Sequence, residues 1–114
     1  MTKLIFQKTD IGVGKRKQAV ARVFLVPGKG NVTINKVSGN KYLQYNDTYL
    51  TTIAAPLKAV KLDSQFDIIA FVKGGGLTGQ ADAIQLGIAR QLCKINEQHR
   101  ISLKPYGFLT RDSR

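Results

Sequence analysis

The chain has 114 residues, 43% of them hydrophobic, which suits one domain with an ordinary core. Its 18 Lys and Arg against 7 Asp and Glu give a net charge of +11, which predicts a polyanionic partner, nucleic acid ahead of an acidic membrane. A single cysteine and a single histidine exclude an internal disulfide and a Cys/His metal site.

The first half of the chain predicts a basic lead-in and two strands. Residues 12–17 (GVGKRK) place three cations after two glycines, which is typical of a flexible segment along phosphates or of a solvated lead-in. Residues 18–26 form an apolar β-type run, and residues 31–37 alternate apolar and polar side chains. Because a short Pro/Gly turn joins these two runs, we expect an antiparallel hairpin.

A helix and a central strand are predicted next. Asp47 and Thr48 are good N-cap residues for a helix that begins at Tyr49 and ends or bends at Pro56. Residues 66–73 (FDIIAFVK) are apolar enough for a strand in the centre of a sheet.

The clearest helix of the chain follows a run of glycines. Its apolar residues recur at intervals of three and four and line one face: Leu77, Ala81, Ile84, Ile88, Leu92 and Ile95. The opposite face carries Arg90 and the small residues Ala83 and Gly87, which leave room for another backbone. The order of elements predicts an α+β fold, with an antiparallel hairpin, a central strand and two helices on one face of the sheet.

The glycine run of residues 74–79 (GGGLTG) matches the G-x-G-x-x-G pattern of dinucleotide-binding loops, and Glu97 lies about 20 residues further on. No strand is predicted between the helix and Glu97, however, and the chain is too short for a complete dinucleotide-binding sheet. Glycines at a helix N-terminus also let the backbone approach a phosphate of RNA. A purely structural turn is the alternative.

Two further features bear on RNA binding. Arg22 lies within an apolar run, where a charge is costly unless it is paired or meets a polyanion at the surface. Tyr42, Tyr45 and Tyr49 have rings that can stack on bases, but tyrosines at this spacing more often pack over the edge of a small core. We favour the packing interpretation.

The sequence offers no basis for catalysis and predicts neither a cofactor nor a metal. His99 lacks a recognisable nucleophile or orienting acid nearby in the chain, and Cys93 within the helix is typical of a small hydrophobic residue. The N-terminus has no signal-peptide or transit-peptide pattern, and no apolar run is long enough to span a bilayer. We therefore expect a non-enzymatic protein that does not associate with a membrane.

Three segments resemble small-subunit ribosomal protein nine of the bacterial and plastid type: GVGKRKQAVARVFLVPGKG from Gly12, FDIIAFVKGGGLTGQADAIQLGIARQL from Phe66 and GFLTRDSR from Gly107. The resemblance covers residues 10–114 of what we expect to be a single domain, 1–114. It implies an α+β fold with a left-handed β-α-β crossover, an exception to the usual hand. It also implies a structural role in the head of the small subunit, in contact with ribosomal RNA and neighbouring head proteins.

The positions expected to contact RNA combine the charge pattern with the positions that the resemblance implies. They are Lys15, Arg16, Lys17, Arg22, Lys73, Gly74, Gly75, Gly76, Thr78, Gln80, Arg90, Arg111 and Arg114. Family members usually continue past the GFLTRD motif into a basic tail that touches transfer RNA in the peptidyl site. This sequence ends at Arg114, so transfer RNA is an expected partner only if such a tail exists.

The use of Lys, Ile, Asn and Gln is typical of an AT-rich genome, which favours a plastid ribosome over the bacterial cytoplasm. Two other functions stay open from the residues alone: a small nucleotide-dependent enzyme using the glycine loop, and a free RNA chaperone.

Overall fold

The computed structural model describes residues 12–16 and 18–106. Within these residues five strands form one sheet: β1 (Gly12–Arg16), β2 (Ala19–Pro27), β3 (Val32–Ile34), β4 (Val37–Ser38) and β5 (Phe66–Lys73). The strand order is β1-β2-β5-β3-β4, so the apolar strand β5 lies at the centre, as predicted. β5 pairs antiparallel with β2 and parallel with β3.

The predicted hairpin between residues 18–26 and 31–37 is wrong, because β5 lies between β2 and β3. The connection after β2 is fastened to β5 instead, since Asp67 Oδ1 accepts the backbone N–H groups of Lys29, Gly30 and Asn31 at 2.9–3.0 Å. The observed hairpins are β1–β2 and β3–β4. Residues 12–16 are therefore a strand, at the edge of the sheet that the described residues form, and not a flexible segment.

The alternating run of residues 31–37 is two short strands because the chain turns in its middle. Asn35 and Lys36 have φ angles of 51° and 69°, the left-handed pair that a two-residue hairpin turn requires. Asn adopts this conformation more readily than most residues do. Lys36 stands where such turns usually have Gly, so the sequence did not predict the turn.

The described part of the chain also contains four helices: α1 (Gly39–Tyr42), α2 (Asp47–Ala59), α3 (Leu77–Ile95) and α4 (His99–Leu103), with a 3-10 turn at Lys104–Tyr106. Both predicted helices are confirmed, and α3 has the predicted bounds. None of the helices in the described part of the chain is long and apolar enough to cross a membrane.

The core lies between one face of the sheet and the helices α2 and α3. Alternate residues of the two long strands are buried there: Ala19, Ala21, Val23 and Leu25 of β2, and Phe66, Ile68, Ala70 and Val72 of β5. Ile53 and Leu57 of α2 and the buried face of α3 complete it. The α+β architecture with two helices on one face is thus confirmed, and the parallel β3-α2-β5 unit supplies the expected β-α-β crossover. Its left hand stays a prediction.

Pro56 does not end α2, because the surrounding structure makes good the lost hydrogen bond. Proline has no N–H, so the carbonyl of Thr52 one turn earlier has no donor within the helix. The side chain of Gln85 on α3 donates to that carbonyl at 2.9 Å. The helix therefore continues to Ala59 with Pro56 buried inside it, and it begins two residues earlier than predicted, capped by Asn46.

The strand β1 packs on α3 at Ala83 and Gly87, the two small residues from which we predicted that another backbone would lie close to this helix. A Cβ on Gly14 would stand 1.9 Å from the carbonyl oxygen of Ala83, and one on Gly12 would stand 2.1 Å from that of Gly87. Both distances are far inside van der Waals contact. Only glycines allow this strand and this helix to lie so close, so the prediction from Ala83 and Gly87 is confirmed.

Asp67 makes the stability of the protein depend on pH. Its hydrogen bonds from the amides of Asn31, then of Lys29 and Gly30, lower the pKa of the carboxyl below its ordinary value. A group with a lowered folded-state pKa stabilises the protein above the unfolded-state pKa, about 4, and loses that contribution as the pH falls through the folded-state pKa.

We therefore expect Asp67→Asn to lower the free energy of unfolding by about 1 kcal/mol at pH 7, a value kept low because the carboxyl is partly exposed to water. The difference from the native protein should shrink at pH 3, and urea titrations at the two pH values measure it. Asp63→Asn removes an exposed carboxylate in the same region and serves as the control. A deficit that is equal at both pH values would contradict the assignment.

Candidate RNA-binding surface

Three of the predicted cations, distant in sequence, come together on the face of the sheet opposite α2 and α3. The register pairs Lys15 of β1 with Val20 of β2, and Val20 with Lys73 of β5. Arg22 lies two residues beyond Val20 on the same face, between Val13 and Phe71. All three cations are exposed. We call Lys15, Arg22 and Lys73, with Val20 between them, the basic end of the sheet.

The glycine loop, residues 74–76, continues directly from this basic end. Gly74 and Gly75 have φ angles of 84° and 62°, and a Cβ on Gly74 would stand 2.2 Å from the carbonyl oxygen of Gln18. Glycine is thus required at Gly74 by conformation and by space. The loop lies against the turn between β1 and β2 and leads into α3.

Gly76 is the N-cap of α3, and it offers no side chain to the free amides of the first helical turn. A Cβ at Gly76 would meet no atom of the described residues within 4 Å, so there is room for a side chain or a ligand beside the first turn of α3. The partial positive charge of a helix N-terminus adds to that of the cations on the neighbouring strands. An anion placed here would meet backbone N–H groups and cations together.

A chain of hydrogen bonds holds the glycine loop in place. Gln80 donates to the carbonyl of Gly74 at 3.1 Å and accepts from the hydroxyl of Tyr42 at 2.8 Å. Asn35 contacts that hydroxyl at 3.4 Å, and its amide also bonds to both backbone groups of Val72 at 2.9 and 3.1 Å. Gln80 is only 8% exposed, so it positions the loop from within.

The tyrosines follow the packing interpretation at two of three positions. Tyr42 and Tyr49 pack against the core, and the hydroxyl of Tyr49 bonds to that of Thr78 at 2.9 Å. Tyr45 is 70% exposed. Thr78 is exposed in the first turn of α3, so it lies beside the open space at Gly76.

Arg90 lies apart from the other predicted contacts. It is 13 residues along α3 from Leu77, which places it about 20 Å from the glycine loop along the helix axis. Its guanidinium donates to the carbonyl of Val13 at 2.9 Å and helps to hold β1 on the helix. Arg16 lies at the end of β1, whereas Lys17, Arg111 and Arg114 fall outside the described residues.

Sequence reasoning missed Lys36 and the supporting role of Tyr42. Lys36 is exposed in the turn after Asn35, whose side chain bonds to Val72 near the end of β5, so it adds a cation at the same end of the sheet. Asn35 is the one signal of this turn in the sequence, and it is weak because two-residue hairpin turns favour Gly rather than Lys in the second position.

The geometry does not support the nucleotide-dependent enzyme. In the described part of the chain α3 is followed by α4 and a 3-10 turn, not by a second parallel strand. Glu97 pairs with Arg100 at 2.7 Å and is exposed. Cys93 is 5% exposed, and burial raises the pKa of its thiol, which suits a core residue. No cluster of three potential metal ligands occurs among the described residues.

Residues 14–114 match the family model described as ribosomal protein S9/S16. The chain is 66% identical to small ribosomal subunit protein uS9c of Phaeodactylum tricornutum over 111 residues, which cover 97% of this chain and 80% of that protein. It is also 66% identical to uS9c of Thalassiosira pseudonana over 110 residues, 96% of this chain and 82% of the relative.

Small ribosomal subunit protein uS9 of the cyanobacterial strain Cyanothece sp. PCC 7425 is 55% identical over 106 residues, 93% of this chain and 77% of that protein. The family model and these relatives each cover most of the chain. The chain therefore belongs to the ribosomal protein S9/S16 family.

Proposed function

We propose that this chain binds ribosomal RNA through the basic end of its sheet and the glycine loop. As a member of its family it is a structural, non-enzymatic constituent of the small ribosomal subunit, where it associates with ribosomal RNA and other ribosomal proteins. The single observation that carries the RNA surface is the convergence of Lys15, Arg22 and Lys73 beside the open N-terminus of α3.

The protein belongs to a plastid ribosome, since its relatives include several uS9c proteins, the plastid form. The likeness to a cyanobacterial uS9 agrees with the bacterial type. Placement in the head of the subunit, with neighbouring head proteins, is part of the proposal. Contacts from Arg16, Lys17, Arg111 and Arg114 stay predictions, and no contact with transfer RNA is assigned to any residue.

The chemistry of the surface suits a phosphate backbone. Cations on three adjacent strands neutralise phosphates and release counterions, while the backbone amides of the first turn of α3 donate hydrogen bonds to phosphate oxygens. Contacts of this kind fix the position of a protein on folded RNA and carry little sequence information. Gln80 acts in this proposal by holding the loop that presents those amides.

Two variants of Gly76 test the role of the helix N-terminus. Asp or Asn at this position has open space and an ordinary φ angle, so each should cap α3 and raise the free energy of unfolding by about 0.5 kcal/mol. Gly76→Asp also places a negative charge where a phosphate would bind. We expect its affinity for ribosomal RNA at low salt to fall about tenfold below that of Gly76→Asn.

The matched pair separates charge from capping, because Asn has nearly the same shape as Asp and no charge. Filter binding or fluorescence anisotropy at increasing KCl gives the affinities, and the gap between the variants should close as salt screens the carboxylate. Equal affinities of the Asp and Asn variants at low salt would mean that the glycine loop is not part of the RNA-binding surface.

A further inference from the structure

The open face of the sheet carries an aromatic pair beside the basic end. The rings of Phe24 on β2 and Phe71 on β5 meet edge to face, with centroids 6.1 Å apart and an interplanar angle of 84°. Phe71 is partly exposed, and its neighbour across the strands is Arg22. The two partly exposed rings are contiguous, so they form an apolar patch on the open face next to the cations, and such a patch is informative where a single exposed ring is not.

A shallow cavity of about 290 Å³ adjoins Phe71. Its lining consists of Val20, Arg22, Phe71, Val72 and Lys73, so an apolar ring and two cations face the same space. Among the described strand residues on this face Asp67 is the one acid, and its carboxylate already accepts three backbone N–H groups of the loop after β2. The cavity therefore favours a ligand that is flat, apolar on its faces and negatively charged at one side.

We propose that this cavity takes one unpaired base of an RNA strand, stacked on Phe71, with Arg22 and Lys73 on the adjacent phosphates. The inference rests on the proposed function, since it specifies which part of the RNA the basic end meets. In a duplex the faces of the bases are covered by their neighbours, so only an unpaired nucleotide presents a free face. Stacking on an aromatic side chain tolerates any base, and it adds affinity that salt does not screen.

Phe71→Leu tests the stacking, and Phe71→Tyr is the conservative variant that keeps the ring. The probe is a short single-stranded oligoribonucleotide with 2-aminopurine at one position, whose fluorescence is quenched when the base stacks. We expect quenching by the native protein and by Phe71→Tyr but not by Phe71→Leu. The affinity of Phe71→Leu for the single strand should fall about fivefold to tenfold.

Two comparisons separate this inference from the proposed function. The salt dependence of RNA binding should be the same for Phe71→Leu and the native protein, because the variant keeps every cation that meets a phosphate. The affinity for an RNA duplex of equal length should also be unchanged. Thermal unfolding of each variant verifies that the sheet is intact.

Photo-crosslinking from position 71 in assembled small subunits identifies the occupant directly. A crosslink to RNA is the expected result, and a crosslink to a neighbouring protein would overturn the inference. Full quenching and unchanged affinity with Phe71→Leu would overturn it too, while leaving the phosphate contacts of Lys15, Arg22 and Lys73 in place. Failure of the native protein to bind RNA at all would instead defeat the proposed function.

Discussion

Gly14→Ala should lower the free energy of unfolding by about 3 kcal/mol or more, the largest effect on stability that we expect from a single added methyl group. Its Cβ would stand 1.9 Å from the carbonyl oxygen of Ala83 and 2.7 Å from the amide nitrogen of Gly87. Both are backbone atoms of α3, so no side chain can swing away to make room. Relief requires β1 to move off the helix.

The effect arises from space and not from backbone conformation, since Gly14 does not have a positive φ angle. Urea or thermal unfolding measures it. Gly76→Asn also replaces a glycine, but in open space, and should leave the protein at least as stable as the native chain. If Gly14→Ala unfolded at the native midpoint, β1 could not lie as close to α3 as the structure has it.

The displacement of β1 would also disturb the proposed RNA-binding surface. Lys15 lies on this strand, and the carbonyl of Val13 accepts from Arg90 of α3. A protein that tolerated Gly14→Ala by releasing β1 would lose the alignment of Lys15 with Lys73 across Val20. The glycines of β1 thus support the proposed RNA-binding surface through packing, although they add no charge to it themselves.

The elements predicted correctly are those in which the pattern of apolar side chains within the element itself indicates which residues are buried. The spacing of apolar residues defined α3 from Leu77 to Ile95, and the apolar run of residues 66–73 defined the central strand. The sheet order was not predictable in this way, because it depends on a distant partner. Asp67 fastens the loop after β2, and an isolated Asp in a strand does not reveal which amides it will accept from.

The same distinction applies to the candidate site. Charge and the resemblance singled out Lys15, Arg22 and Lys73, but their convergence depends on the register of three strands. Gln80 was expected to contact RNA because the resemblance implies that the segment from Gly74 to Gln80 faces RNA. In the structure its side-chain amide instead forms hydrogen bonds with the carbonyl of Gly74 and the hydroxyl of Tyr42. The sequence could not predict this, because a side-chain amide can form hydrogen bonds within the protein or with a ligand.

Replacing Lys15, Arg22 and Lys73 together with Ala should produce the largest loss of RNA affinity. Affinity decreases with salt, and each phosphate contact contributes about 0.7 to 0.9 to the steepness of log affinity against log salt. Loss of three contacts should therefore make the slope shallower by about 2 to 3 in total. All three side chains are exposed, and the fold should therefore survive their truncation. Anisotropy with a fragment of ribosomal RNA over a KCl series measures the slope.

The control removes the same charge from the other end of the molecule. Lys58 in the last turn of α2, Lys61 just after it and Lys104 after α4 are exposed cations away from the glycine loop, and their triple replacement also removes three charges. If RNA responds only to net charge, the two triple variants will show the same slope. A slope that keeps its native value in the control and becomes shallower by about 2 to 3 in the basic-end variant would mean that phosphates contact this surface in particular, because counterion release depends on where the cations meet the RNA.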